Sequence, residues 1–356
     1  MLFRSENGNI SFENEKIKLG VHNLSAKDGG KTVLLDSITF SPAPDRESFL
    51  KEKGFQTVYM RLNSGNVAFE GVDIQKLLKD RELAAKKVRL NGLQLYTYKD
   101  KRYPFKHGVV KPMLTELLQK IKMPVSIHTL MFANSGIVYE EFNDRTMQQG
   151  QINLTKVRGT IRNIKTSNAL AGDSLRFSLY ARLLDTAVFR ASYKQSYLDS
   201  LHGFKLNLVA SALDIRSLNP MMHPFASASI ISGWLDTLRM SAVGRKYVAF
   251  GTMRMYYKNL NVELINKGDT ANKNFVTRSV SFLANKIVRK NHRHGKGEVY
   301  AERDFEKGFV NYWVKIVIGG VLTNTGVRSN RKQERKYEHA IRKHEVPPIT
   351  DIPADF

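Results

Sequence analysis

The chain has 356 residues, with 56 Lys and Arg against 33 Asp and Glu, a formal net charge of +23. Such an excess points to an anionic partner (nucleic acid, an anionic membrane surface or acidic envelope polymers), with a merely solvating basic surface as the alternative. An apolar share of 42%, with 19 Phe and 14 Tyr, excludes a disordered chain, and the absence of cysteine excludes disulfides, thiolate metal sites and cysteine nucleophiles.

The first eight residues carry no apolar run behind their charge, so they do not form a secretory signal. They open partway into a strand pattern, as a longer parent chain would. Residues 42–54, with prolines and mixed charges, read as a loop or short helix. A recurring phrase then dominates: a short alternating strand leads through Gly or Asn into a second strand. Residues 58–74, 88–98, 127–139 and 235–243 are four instances, the second with Leu93, Leu95 and Thr97 on one face. Period-two alternation gives each segment one apolar and one polar face. The Asn-Gly and Asn-Ser-Gly steps tolerate positive φ and predict turns, hence a chain of hairpins.

Residues 175–183 and 204–211 are longer two-faced strands, and 250–265 predicts two strands joined near Tyr257-Lys-Asn-Leu260. Helices are fewer: 73–79 extending toward Ala85, 112–121 with Pro112 in the first turn and Pro124 beyond it, and one turn at 214–220 leading into a loop. These features predict a mainly β protein with a few short helices. The alternation fits an ordinary sandwich or an open sheet grown from similar units.

Composition changes after about Asn274, so three regions are expected: a repeated β region over 1–274, a basic and partly helical region over 275–345, and an extended Pro-rich terminus over 346–356. Residues 276–289 read as an amphipathic helix and 290–297 as a basic stretch. The apolar run 309–322 is interrupted by Lys315 and Gly319-Gly320. It is short for a membrane span and suits a helix packed on the last sheet or lying in a membrane interface. Residues 328–336 read as a solvated charged segment.

No chemical motif stands out. His292 and His294 flank Arg293 without a third ligand, so a phosphate-touching loop suits them better than a metal. His128 reads as a surface residue of a strand, and Glu140, Glu141 and Asp144 as solvated charges in a turn. No nucleophile elbow and no phosphate loop is present, and no catalytic, cofactor or metal residue is assigned.

Gly233-Trp-Leu-Asp-Thr-Leu-Arg-Met240 and the Gly-x-Met-x-Met-x-Tyr-x-x-Leu element from Gly251 to Leu260 resemble the carboxy-terminal part of AsmA-like envelope proteins of Bacteroidota type. Phe69-Glu-Gly-Val-Asp-Ile-Gln-Lys-Leu-Leu78 and residues 127–139 resemble that family's earlier repeats, and 282–326 its tail. The resemblance implies an elongated, twisted antiparallel sheet forming an open apolar groove, ending in a helical basic tail. It further implies a non-enzymatic protein of the periplasm or cell envelope that binds or conducts phospholipid, or supports outer-membrane assembly. Acyl chains, an anionic membrane surface and envelope assembly proteins would be its partners, with no cofactor. A scaffolding β-sandwich and a non-specific nucleic-acid binder are the rival readings.

Overall fold

The computed structural model describes residues 2–6, 8–264, 288–292 and 295–343. It is mainly β, an open sheet that does not close, with a few short helices. The chain divides into two compact units, residues 1–107 with 115–185, and residues 108–114 with 186–356. Composition does not mark the division near residue 185.

The first unit contains β1 (Leu2–Glu6), β2 (Asn9–Glu13), β3 (Ile17–His22), β4 (Ser25–Lys27), β5 (Thr32–Leu35), β6 (Ser37–Pro42), β7 (Val58–Asn63), β8 (Val67–Val72), β9 (Leu83–Asn91), β10 (Gln94–Asp100), β11 (Val125–Asn143), β12 (Gln148–Lys165) and β13 (Ser174–Leu183). Helix α1 (Arg46–Lys53) follows β6, capped by Asp45, which accepts from the amides of Glu47 and Ser48, and ended by Gly54 at φ +67°. Helix α2 (Ile74–Asp80) links β8 to β9; Ala85 belongs to the strand, not the helix. Helix α3 (Leu114–Gln119) lies in the connection from β10 to β11. That connection is long because β11 runs parallel to both β9 and β10, which a tight hairpin cannot achieve.

The Asn-Gly steps are not hairpin turns. β7 and β8 do not pair with each other: β7 is antiparallel to β10, and β8 to β9, while β9 and β10 both run parallel to β11. Residues 58–72 and 83–100 are therefore two long strands, each bent once and continuing in the same direction. Residues 32–42, whose halves pair with β8 and β7, bend at Asp36. Register is kept through the bend, since Asn63↔Gln94 and Val67↔Leu90 follow one another without a slip.

The bend is a crease crossing neighbouring strands at one level. At the crease, inward side chains are three residues apart instead of two: Leu35 to Ile38, Ser64 to Val67, Leu90 to Leu93 and Phe132 to Ser135. The two residues between them face outward, as at Asn91-Gly92 and Ala133-Asn134. Gly92, Asn134 and Asn23 adopt positive φ there, which Gly and Asn tolerate best. Side chains stitch the crease across strands. Asn134 Nδ2 donates to Asn91 Oδ1 (2.8 Å), Asn23 Nδ2 to Asp36 Oδ2 (2.7 Å), and the Ile38 amide to Ser64 Oγ (2.8 Å). The odd step offsets the face reversal that a parity change would otherwise cause. Accordingly Val21 and Ile38, from one side of the crease, pack with Leu35, Val67 and Val88 from the other.

The second unit contains β14 (Ala187–Ser196), β15 (Phe204–Ala210), β16 (Leu213–Asp214), β17 (Ala228–Gly244), β18 (Val248–Leu264) and β19 (Gly297–Glu302). The segment 250–265 is not two strands: β18 runs unbroken through Tyr257-Lys-Asn-Leu260, with Asn259 at φ +55°. The turn at Ile215–Leu218 leads into helix α4 (Asn219–Ala226), not into a loop. Helix α5 (Phe309–Asn324) covers one sheet face and helix α6 (Asn330–Arg342) docks on the other. The segment expected to be a solvated charged run thus begins a helix whose Gln333, Tyr337 and Ala340 are buried. Gly319 and Gly320 do not interrupt α5; they let it approach the sheet, since a Cβ on Gly320 would lie 2.6 Å from Met253 Cε. The helix expected over 276–289 lies outside the described residues up to 287, and so does the terminus 346–356.

Candidate functional site

Cross-strand register in the first unit aligns apolar side chains into continuous rows. Phe12, Leu19, Phe40, Leu62, Leu95, Ile137, Leu154 and Leu183 are successive partners across eight strands. At ~4.8 Å between strands such a row extends roughly 35 Å. Beyond the crease, Val33, Phe69, Val88, Leu130, Ile161 and Phe177 make a second row. Leu35, Val67, Leu90, Phe132, Gly159 and Leu179 make a third, where a Cβ on Gly159 would lie 2.7 Å from the Phe132 ring. The glycine leaves that ring its space.

The reverse face is different. One residue along from the first row, Ser11, Gly20, Thr39, Asn63, Gln94 and Gly136 are successive partners. The sheet thus carries an apolar face, shared by Leu93, Leu95 and Thr97, and a reverse face that is polar along this row and aromatic where Tyr59, Tyr98 and Phe142 lie.

Burial shows which way the apolar face looks. None of the eight residues of the first row is fully buried, and Leu19 is 38% exposed. In the flanking inward positions Met60 is 38% and Val58 47% exposed. A face packed against a second layer would bury its central residues. Here α1 packs on the reverse face instead, where Leu50 and Phe49 meet Tyr59, Tyr98 and Phe142. In the second unit the corresponding face is filled: Tyr193, Phe204, Met240, Met253 and Val299 are buried beneath Tyr312, Ile316 and Leu322 of α5. The open apolar surface is the first row of the first unit; beyond the crease Leu35, Val67 and Val88 are buried in a cluster with Val72, Ala85 and Ile127.

A polar group closes one end of that face. Glu141 is 6% exposed; Lys101 Nζ lies 2.5 Å from its carboxylate, and Tyr139 Oη donates to it at 2.6 Å. Burial, reinforced by the neighbouring Glu141 charge, pushes the Tyr139 phenol well above its usual range. Glu140 points to the other face and accepts from Tyr96 Oη at 2.6 Å. Both acids lie within β11 and are held by partners, so they are not solvated charges in a turn. Burial first, then the bond to Glu140, raises the Tyr96 phenol.

The histidines do not converge. His128 is an exposed strand residue, with Nδ1 2.9 Å from the hydroxyl of Thr129. His292 Nδ1 lies 2.9 Å from the Tyr257 carbonyl, with its ring against Tyr256, while Arg293 and His294 lie outside the described residues. Among the described residues no group of three His, Cys, Asp or Glu could hold a metal ion, and no helix is long and apolar enough to cross a membrane. Single residues of the apolar rows were not identifiable from sequence, because a row is defined by long-range register. Their only local signal is alternation.

No family model matches the chain, and no curated protein matches it.

Proposed function

We propose that this protein binds lipid acyl chains along the open apolar face of its first unit, as a non-enzymatic carrier or conduit of phospholipid in a bacterial cell envelope. One observation carries the reading: an eight-strand row of apolar side chains, none fully buried. Soluble proteins rarely leave a contiguous apolar surface of this kind without a ligand or partner for it. Each acyl methylene moved from water onto such a surface gains up to about 0.8 kcal/mol. The row's length is comparable with the ~30 Å hydrocarbon thickness of a bilayer. The likeness of 233–240 and 251–260 to AsmA-like envelope proteins supports the same reading, and the net charge of +23 suits work beside anionic lipid. Supporting outer-membrane assembly would use the same surface.

The test is native mass spectrometry of the purified chain for bound lipid, with titration of a fluorescent phospholipid alongside. Co-purifying lipid, displaced by the fluorescent one and reduced in Leu19→Glu/Met60→Glu, is expected. Absence of lipid in the preparation, together with no saturable binding, would overturn the proposal.

A further inference from the structure

We propose that one end of the first unit's sheet is a membrane-docking surface, which inserts apolar loop tips into a bilayer carrying anionic lipid. The surface lies beyond the crease, away from the open apolar row, and does not depend on that row's binding acyl chains.

Three segments leave the sheet at this end: α2 between β8 and β9, the stretch from α3 to Pro124 ahead of β11, and residues 166–173 between β12 and β13. Register sets them side by side. Leu83 pairs with Val125, and Ser126 with Lys165, so the three emerge at adjacent strands within about 10 Å. Hydrogen bonds tie them together. The Leu83 amide donates to the Pro124 carbonyl at 2.9 Å, the Val125 amide to Thr166 Oγ1 at 2.8 Å, and Thr166 Oγ1 to the Met123 carbonyl at 2.8 Å.

Each segment turns large apolar side chains to solvent. Helix α2 packs on the core through Ile74 yet leaves Leu77 and Leu78 exposed, Leu78 to 77%. Leu117, Ile121 and Met123 are exposed in the second segment, and Leu170, at 69%, in the third. A single exposed leucine is ordinary. Six such side chains on three adjoining segments are not, and a patch of this kind marks a contact with a partner or a membrane.

Charge selects the membrane. Basic residues are interleaved with the apolar ones, as in Leu77-Leu78-Lys79 and Lys120-Ile121-Lys122-Met123. Among the described residues, Lys79, Arg81, Lys120 and Lys122 form no ion pair. Asp73 caps α2, Glu82 lies 3.7 Å from Lys76, and Asp173 lies 2.6 Å from Lys165. The other acids of these segments, Asp80 and Glu116, are outnumbered by the four cations. Interfaces between proteins are depleted of lysine. A bilayer surface favours the combination, because lysine stems lie along apolar side chains while their ammonium groups reach the head-group phosphates.

The experiment sediments the full chain with vesicles of phosphatidylcholine, alone or with an equal share of phosphatidylglycerol. The parent should bind the anionic vesicles. Leu78→Ser/Ile121→Ser should weaken that binding at least roughly tenfold, while Leu198→Ser/Val310→Ser, which removes exposed apolar side chains from the second unit, stays within about twofold of the parent. Lys79→Gln/Lys122→Gln should weaken it roughly tenfold, and Lys51→Gln/Arg331→Gln, which removes the same charge elsewhere, by no more than about twofold. Leu19→Ser/Met60→Ser, which alters the acyl row, should dock as the parent does, so that docking and acyl binding fail separately. No binding of anionic vesicles, equal losses within the two apolar pairs or the two charge pairs, or a docking loss in the Leu19/Met60 variant would overturn the proposal. Self-association of the parent without lipid, abolished by Leu78→Ser/Ile121→Ser, would overturn it too, by making the patch a protein contact. If that variant melts early, Leu78→Ser/Leu170→Ser replaces it in the same comparison.

Discussion

Gly92 sits in the crease at φ +73°, with its amide donating to the Ala133 carbonyl at 2.9 Å. A Cβ there meets no atom closer than 3.6 Å, so the cost of Gly92→Ala is conformational rather than steric. Placing an L-residue in the left-handed region costs about 1–2 kcal/mol, and the urea midpoint should fall accordingly; an unchanged midpoint would show that the crease does not need glycine. Glu298 offers a second test at this scale. It is 6% exposed, and burial, opposed by Lys296 and reinforced by Glu334, raises its carboxyl above the ordinary 4.5. A raised folded-state value means that Glu298 favours folding while protonated, and this contribution is lost as pH climbs past the unfolded value and through the folded one. Glu298→Gln should therefore raise the melting temperature more near pH 8 than near pH 4. Equal shifts at both would indicate that the side chain is not desolvated in solution.

At the scale of elements, α5 inverts an ordinary rule. Gly to Ala in a helix normally adds up to ~1 kcal/mol of stability. At Gly320 the added methyl would lie 2.6 Å from Met253 Cε and 3.0 Å from its Cβ, and the latter cannot swing away. Gly320→Ala should destabilise by about 1–3 kcal/mol, measured by chemical denaturation; a stabilised variant would mean that α5 stands off the sheet. This helix also marks what the sequence reveals. The run 309–322 is visible as apolar and too short to span a bilayer, and its packing on the last sheet was one of two expectations. The role of Gly319-Gly320 is invisible without the strand beneath. The crease follows the same logic. Alternation locates the strands and even the shared face of Leu93, Leu95 and Thr97. An Asn-Gly step permits positive φ whether the chain reverses or merely bends, and only pairing with strands far along the chain decides between them. The burial of Glu141 is not legible in the sequence for a related reason: its partner Lys101 lies 40 positions earlier, so nothing local announces a buried carboxylate.

For the whole molecule, the two apolar faces differ in what supports them. Beneath α5, burial of Met240, Met253 and Val299 contributes to folding. The partly exposed row of the first unit contributes less, because its side chains keep part of their contact with water. That difference separates folding from ligand binding in a way that can be measured. Leu19 and Met60, each 38% exposed, should tolerate replacement by Glu with apo stability changed by only about 0.5–1 kcal/mol. A ligand that binds only the folded state raises stability by about 2.7 kcal/mol when present at 100 times its dissociation constant. Delipidated parent protein should therefore melt higher as a short-chain phospholipid is added. Leu19→Glu/Met60→Glu should start near the parent's apo melting temperature yet gain little from the same additions. A parent melting temperature indifferent to lipid would mean that the exposed row is not a ligand surface. A large apo loss in the Leu19/Met60 variant would mean that those side chains serve the fold instead.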